Sequence, residues 1–164
     1  MKTLHQWLDE YSASHRNPRN KLTHWIGIPL IVFAIWCALK AVPVGGDSLN
    51  LATAAIAVFV GYYLLLSWRL ALGMALLSGL FYAGVLALED YAGARLIWLA
   101  AAIFVVGWVL QFIGHHIEGA KPSFFKDLQF LLIGPLWLLA DLYRRFDIPM
   151  LPAPRPSAVA EGKR

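Results

Sequence analysis

The sequence predicts an all-α integral membrane protein: four transmembrane helices, an N-terminal amphipathic helix and a short apolar C-terminal segment. The 164 residues are 59% hydrophobic and only 15% charged, and the mean hydropathy is +0.60. Ordinary soluble domains carry about 25% charged residues. Asp, Glu, Lys and Arg are absent from four runs that approach or reach the roughly 20 residues needed to cross a bilayer; these are 22–39, 48–68, 70–88 and 96–117.

The residues before the first apolar run predict a short helix and then a break. Thr3 and Gln6 have the spacing of a capping box, so a helix should run from Leu4 to Ser14. Pro18 disfavours the helical conformation of Asn17, which should end this helix. The chain should then enter its first apolar helix.

The apolar helices are separated by turn signals. Asn20 can cap the first of them, which places His24 in its first turns. Pro29 should kink that helix or force a shallow start. The glycine-containing connections 43–49 and 89–93 read as turns between helices.

The last apolar stretch, Leu128–Ala140, is shorter than a span and contains Gly134 followed by Pro135. Its 13 residues suit an interfacial or re-entrant segment better than a transmembrane helix. We expect residues 1–147 to form a single membrane-embedded catalytic domain. The proline-rich remainder, 148–164, should be a disordered tail.

The positive charges predict the orientation. With four spans, both termini share one side, and that side collects twelve of the fourteen Lys and Arg residues. The other side keeps only Lys40 and Arg95. The positive-inside rule therefore places both termini and all five histidines in the cytoplasm, with the bundle in a bacterial inner membrane or, in a eukaryote, the endoplasmic reticulum. The sequence has no basic run interleaved with aromatic residues, the pattern typical of nucleic-acid binding. The expected surrounding is membrane lipid.

A metal site is expected at the cytoplasmic ends of the first and fourth spans. The candidate ligands are His15, His24, His115, His116 and Glu118. His115 and His116 point about 100° apart on a helix, so both bind one ion only if the helix frays. Glu118 could be a ligand, an orienter of a histidine or a partner of Lys121. Imidazole with one carboxylate is typical of iron, zinc or manganese sites.

Two blocks carry a family resemblance. The segment Tyr11–Pro29, YSASHRNPRNKLTHWIGIP, and the segment 111–122, which begins QFIGH and includes Glu118 and Pro122, resemble the iron(II)-dependent 2-hydroxy fatty acid dioxygenases of fatty acid α-oxidation. The resemblance covers roughly residues 1–147. It implies Fe(II) as cofactor and gives His15, His24 and His115 the place of the family's motif histidines, the catalytic residues.

The implied reaction converts a long-chain 2-hydroxy fatty acid and O2 into the fatty acid one carbon shorter, CO2 and water. The substrate itself supplies all four electrons, which agrees with a chain that has no nucleotide-binding glycine loop. Arg16, Arg19 or Lys121 could hold the substrate carboxylate. The sequence gives neither the acyl chain length nor the oligomeric state.

Two other functions stay open at this stage. One is a di-iron lipid hydroxylase, although such sites use eight or more histidines and five are present. The other is a non-catalytic lipid-binding or scaffold protein whose histidines are merely structural. Iron content of the purified protein would separate the scaffold from the enzymes.

Overall fold

The computed structural model describes residues 2–46, 48–119 and 124–151. For residues 124–131 it describes the backbone and not the side chains. The described residues contain helices and no strand, which confirms the all-α prediction. The α-helices are α1 (Leu4–Ala13), α2 (Pro18–Lys40), α3 (Leu51–Leu64), α4 (Trp68–Ala92), α5 (Leu96–Glu118) and α6 (Phe124–Arg145). A 3-10 turn at Gly93–Arg95 joins α4 to α5. The predicted tail lies outside the described residues beyond Leu151.

The N-terminal helix α1 is amphipathic, as predicted, and its capping box is present. The Thr3 hydroxyl accepts a hydrogen bond from the Gln6 amide, and the Gln6 side chain accepts one from the Thr3 amide. Leu4, Leu8 and Tyr11 form a buried stripe along the helix. This stripe stabilises α1 against α6 through apolar burial.

The start of α2 corrects one sequence-based assignment. Asn17, and not Asn20, is the N-cap, because its side-chain oxygen accepts from the Arg19 amide at 2.9 Å. Pro18 occupies the first helical position, where its missing N–H costs nothing and its fixed φ suits the helix. Asn20 is consequently inside the helix and fully buried.

The directions of the helices follow from contacts at their ends. Lys40, at the end of α2, pairs with Glu89 near the end of α4 at 3.0 Å. Asn20, near the start of α2, donates to Glu118 at the end of α5 at 3.0 Å. Helices α2 and α4 therefore run in parallel and α5 runs back, with the reversal at Gly93, whose φ is +52°.

Helices α2 and α5 approach each other closely because glycines line their interface. A Cβ atom on Gly27 would lie 2.9 Å from the Gly107 carbonyl oxygen, and one on Gly107 would lie 3.1 Å from the Gly27 carbonyl oxygen. Small residues at helix interfaces permit this backbone approach. The start of α2 and the end of α5 are thus held side by side.

Two helical stretches are long and apolar enough to cross a bilayer: Pro18–Lys40, and Trp68–Glu118, which joins α4 and α5. Helix α3 has 14 residues, about 21 Å of rise, against a hydrocarbon core of about 30 Å. The sequence suggested that it would continue to about Trp68, but it ends at Leu64 and Ser67 caps the next helix. The four-span topology therefore stays a prediction.

The C-terminal apolar stretch is part of a longer helix than its sequence suggested. Helix α6 has 22 residues and passes through Pro135 without a break. A continuous helix does not reverse direction, so the re-entrant alternative for Leu128–Ala140 is wrong. Residues Ile133 to Ala140 are buried, and the helix packs against α1, α2 and α4. Its placement at a membrane interface stays a prediction.

Candidate metal centre

Three histidines from three parts of the chain meet at one end of the bundle. His15 lies in the α1–α2 connection, His24 is in the second turn of α2, and His115 is in the last turn of α5. All three side chains are buried. One ring nitrogen from each lies within 4.8 Å of the others, and the ring centroids are 4.3 to 5.4 Å apart.

Backbone carbonyls orient the first two rings. The Nδ1 atom of His15 lies 2.6 Å from the Tyr11 carbonyl oxygen, and the Nδ1 atom of His24 lies 2.9 Å from the Asn20 carbonyl oxygen. A carbonyl can only accept, so each Nδ1 carries the proton and donates it. In the neutral rings, both Nε2 atoms are therefore unprotonated.

These two unprotonated nitrogens face each other. The Nε2 atoms of His15 and His24 are 2.9 Å apart. Two lone pairs at this distance repel unless a cation lies between or beside them. Two imidazole nitrogens bound to one ion at about 2.1 Å would be about 3 Å apart when the bonds are roughly perpendicular. The donor pair is therefore arranged as metal ligands are, with the distal nitrogen oriented by a hydrogen bond.

The surroundings of His15 keep its ring neutral and fixed. Burial lowers the pKa of His15 to about 4, although the hydrogen bond to the Tyr11 carbonyl opposes the shift. The Tyr11 ring stacks on the imidazole with centroids 4.2 Å apart and planes 2° from parallel. Trp137 of α6 lies 5.5 Å away, and its Nε1 donates to Ser12 at 2.9 Å. A neutral imidazole is the form that binds a metal.

His115 completes the cluster because α5 comes very close to α2 at Gly114. A Cβ atom there would lie 2.3 Å from the Asn20 Oδ1 and Thr23 Oγ1 atoms and 3.1 Å from the His24 ring. The buried His115 Nδ1 and Asn20 Oδ1 make no hydrogen bond with the described residues. An orphaned buried imidazole nitrogen fits a site whose ligand is an ion.

Glu118 ties the end of α5 to the connection that carries His15. Its Oε1 accepts from the Arg16 amide at 2.8 Å. Its Oε2 accepts from the Asn17 amide at 2.9 Å and from the Asn20 side chain at 3.0 Å. With three N–H donors on its two oxygens, the carboxylate positions the connection, and it is not among the groups that converge on the histidine cluster.

Among the described residues, none of the others singled out from the sequence adds a ligand atom to the cluster. His116 is exposed, because α5 continues without fraying to Glu118 and turns this side chain outward. His5 is exposed on α1, as expected. Arg16 directly follows His15 in the chain, and both Arg16 and Arg19 are exposed. Lys121 lies outside the described residues.

Sequence reasoning missed the glycines and the two aromatic neighbours of His15. The available signal was the spacing of Gly107 and Gly114, seven residues or two helical turns apart on one face of α5. The roles of Tyr11 and Trp137 depend on the contact between α1 and α6. No local pattern in either segment announces that contact.

With this geometry established, comparisons with known proteins identify the family. Residues 1–146 match the model of the family described as 2-hydroxy-palmitic acid dioxygenase Mpo1-like. The chain belongs to this family. It is also 30% identical over 154 residues to the 2-hydroxy-palmitic acid dioxygenase MPO1 of Saccharomyces cerevisiae, covering 92% of this chain and 86% of that protein. No solved structure matches the chain. The Mpo1-like match includes all three clustered histidines and Glu118.

Proposed function

We propose that this chain is an Fe(II)-dependent dioxygenase that converts a long-chain 2-hydroxy fatty acid and O2 into the fatty acid one carbon shorter, CO2 and water. The observation that carries the proposal is the pair of carbonyl-oriented imidazoles of His15 and His24, whose Nε2 atoms face each other at 2.9 Å. His115 is the proposed third ligand. The choice of iron and of substrate rests on membership of the Mpo1-like family.

The chain's own residues supply binding and orientation. A bound ferrous ion would supply the one-electron chemistry that O2 requires. The Tyr11 and Asn20 carbonyls hold the two facing imidazoles in the ligating tautomer, and Glu118 holds the connection between them. We assign to Arg16 and Arg19 the attraction of the substrate carboxylate to this end of the bundle; Lys121, outside the described residues, is a third candidate.

The proposed reaction balances without an external reductant. The bond between the carboxyl carbon and the hydroxyl-bearing carbon breaks, the carboxyl carbon leaves as CO2, and the hydroxyl-bearing carbon is oxidised to the new carboxylate. These changes release four electrons, the number needed to reduce one O2 fully. No nicotinamide, flavin or 2-oxo acid is therefore required.

We expect purified, iron-loaded protein to consume one O2 for each CO2 released from a long-chain 2-hydroxy acid. The unsubstituted fatty acid lacks the hydroxyl group that is oxidised and should not be consumed. An oxygen electrode with parallel CO2 measurement on both acids provides the test. Turnover of the unsubstituted acid, or an absolute requirement for NADPH or 2-oxoglutarate, would favour the hydroxylase alternative.

The hydrogen bonds that the Glu118 carboxylate accepts give a second expectation. Glu118→Gln replaces one acceptor oxygen with an NH2 group that faces an N–H donor, so the connection carrying His15 should loosen. We expect Fe(II) affinity to fall by about 10- to 100-fold, as is typical for partners that orient ligands, with full occupancy at saturating iron. Glu89→Gln, whose carboxylate pairs with Lys40 at the other end of the bundle, is the control. Iron missing even at saturation would make Glu118 a ligand.

We further propose that α2 to α5 span a membrane with the histidine end in the cytoplasm, in a bacterial inner membrane or the endoplasmic reticulum. Arg16, Arg19 and Lys21 at the start of α2 support this orientation, as does Arg69 at the α3–α4 turn. The metal centre would then lie at the cytoplasmic surface while the acyl chain stays among apolar helices.

The orientation is testable with reporter fusions. Fusions at Lys2 and Arg164 should report the cytoplasm, and one at Asp47, in the connection between α2 and α3, should report the opposite side. If the fusion at Arg164 reports the outside, helix α6 crosses the bilayer and the interfacial placement fails.

The alternatives account for less of the geometry. A di-iron site needs more ligands than the three histidines that cluster among the described residues, and the other two, His5 and His116, are exposed. A scaffold protein gives no reason for two unprotonated nitrogens to face each other in a buried position. The metal dioxygenase explains both this arrangement and the family match.

A further inference from the structure

A pocket of about 180 Å³ lies between α2, α4 and α6. Its lining is apolar apart from Ser78, which is fully buried and whose hydroxyl makes no hydrogen bond with the described residues. Other lining residues include Trp25, Trp36, Met74, Phe81 and Leu139. The volume exceeds the roughly 150 Å³ of an engineered apolar cavity that binds benzene. The pocket is therefore large enough to take several carbons of a hydrocarbon chain.

The pocket is connected by contacts to the metal centre. Ile28 lines it and lies one helical turn after His24 on the same face of α2. Across from Ile28, a Cβ atom on Gly134 would lie 3.0 Å from Ile28 and 3.2 Å from the Tyr11 hydroxyl. Tyr11 in turn stacks on His15. Ile28 and Tyr11, which both approach Gly134, therefore lie between the histidine cluster and the pocket.

We propose that this pocket receives the hydrocarbon chain of the 2-hydroxy acid and sets the chain length that the enzyme accepts. The inference rests on the proposed function, because it takes the carboxyl end of the substrate to lie at the histidine cluster. To reach the pocket from there, the chain passes Ile28 and Gly134, and the side chains of Ile28 and Tyr11 that meet at Gly134 must move apart to admit it. Each methylene buried in such a site strengthens binding by roughly fourfold. Acids should therefore bind more tightly with each added carbon until the chain fills the pocket.

Filling the pocket provides the first test. Ser78→Phe places a ring into the lining, and Leu76→Phe, on the same helix but 69% exposed, is the matched control. In a series of 2-hydroxy acids of increasing length, Ser78→Phe should raise KM at least tenfold for the longest acids and leave kcat for the shortest unchanged. The control should follow the wild type. An equal loss at every chain length, or none, would overturn the proposal.

Enlarging the pocket keeps the proposal testable if Ser78→Phe does not fold. Leu77 lines the pocket and is 38% exposed. Leu77→Ala therefore shortens a lining side chain and enlarges the pocket without leaving a cavity in the closed core. We expect the preferred acid to become longer in this variant and to stay the same in Leu76→Ala. An unchanged preference in Leu77→Ala would contradict the assignment.

A labelling experiment separates the failure of this inference from the failure of the proposed function. The probe is a long-chain 2-hydroxy acid that carries a diazirine at the chain end, and the label is located by peptide mass analysis. We expect labelling of the α4 segment from Met74 to Phe81, with Ser78→Phe suppressing it and Leu76→Phe leaving it intact. Label in the pocket without turnover supports the pocket while the proposed function fails. Turnover with label elsewhere refutes the pocket alone.

Discussion

Replacing His24 with alanine is expected to lower turnover of a long-chain 2-hydroxy acid by more than about 100-fold. Mutation of residues that merely orient metal ligands already lowers metal affinity or activity by about 10- to 100-fold. His24 contributes one of the two facing Nε2 atoms themselves. The same result is expected for His15→Ala and His115→Ala. The measurement is product formation by detergent-purified variants at saturating iron, together with bound iron.

His116→Ala is the matched control, because it removes an imidazole from the same helix at the neighbouring position, where the side chain is exposed. This variant should keep wild-type turnover within about twofold, as surface substitutions usually do. His5→Ala should behave likewise. Full activity in folded His24→Ala, or loss of activity in His116→Ala, would assign the site to different histidines.

Substituting Gly114 with alanine is expected to disrupt the metal centre without removing any ligand. The new Cβ atom would lie 2.3 Å from two side-chain oxygens of α2, those of Asn20 and Thr23, so α5 must move away from α2. Overpacking of this kind costs about 1–3 kcal/mol of stability. Because the movement separates His115 from His24, we also expect a loss of at least tenfold in Fe(II) affinity, measured by anaerobic titration beside thermal unfolding in detergent.

Gly79→Ala separates this steric effect from the general effect of adding a methyl group to a helical glycine. A Cβ atom on Gly79 in α4 meets nothing within 4 Å. Alanine there should be neutral or stabilise the helix by up to about 1 kcal/mol, with unchanged iron affinity. Equal behaviour of the two variants would show that the α2–α5 approach at Gly114 does not position the ligands.

The elements of the fold were predictable where the signal is local. The capping box at Thr3 and Gln6 and the amphipathic pattern of α1 appear in short stretches of sequence, and the structure contains both. The turn predicted at 89–93 was placed too early, because α4 continues to Ala92 and the chain reverses at Gly93. The cap of α2 was misassigned because Asn17 and Asn20 both satisfy the preference for an N-cap. Only the position of Pro18 decides between them, since proline favours the first helical turn.

The length and context of helices were less predictable. An apolar run without charges does not mark where α3 stops, because the run continues to Trp68 while α3 ends at Leu64 and Ser67 caps the next helix. In α6, Gly134 and Pro135 locally disfavour a helix, but the buried packing of Ile133 to Ala140 stabilises a continuous one. Tertiary burial therefore outweighed the local preference.

The histidines of the candidate site could be singled out from the sequence, but the contacts that support them could not. His24 and His115 stood out as rare residues near the ends of apolar runs, and His15 as one just past the predicted N-terminal helix. The selection against His116 required the knowledge that α5 stays helical to Glu118. The role of Glu118 likewise depends on a contact between residues about a hundred positions apart in sequence, which no local pattern reveals.

Anaerobic titration of the purified chain with Fe(II) tests the central claim most directly. We expect saturation at one ion per chain in the wild type and in His116→Ala, and no specific binding in the triple variant His15→Ala, His24→Ala, His115→Ala. The measurement can follow bound iron by equilibrium dialysis, independently of turnover. Absence of iron binding by folded wild-type protein, or equal binding by the triple variant, would contradict the assignment of a metal centre to these three histidines.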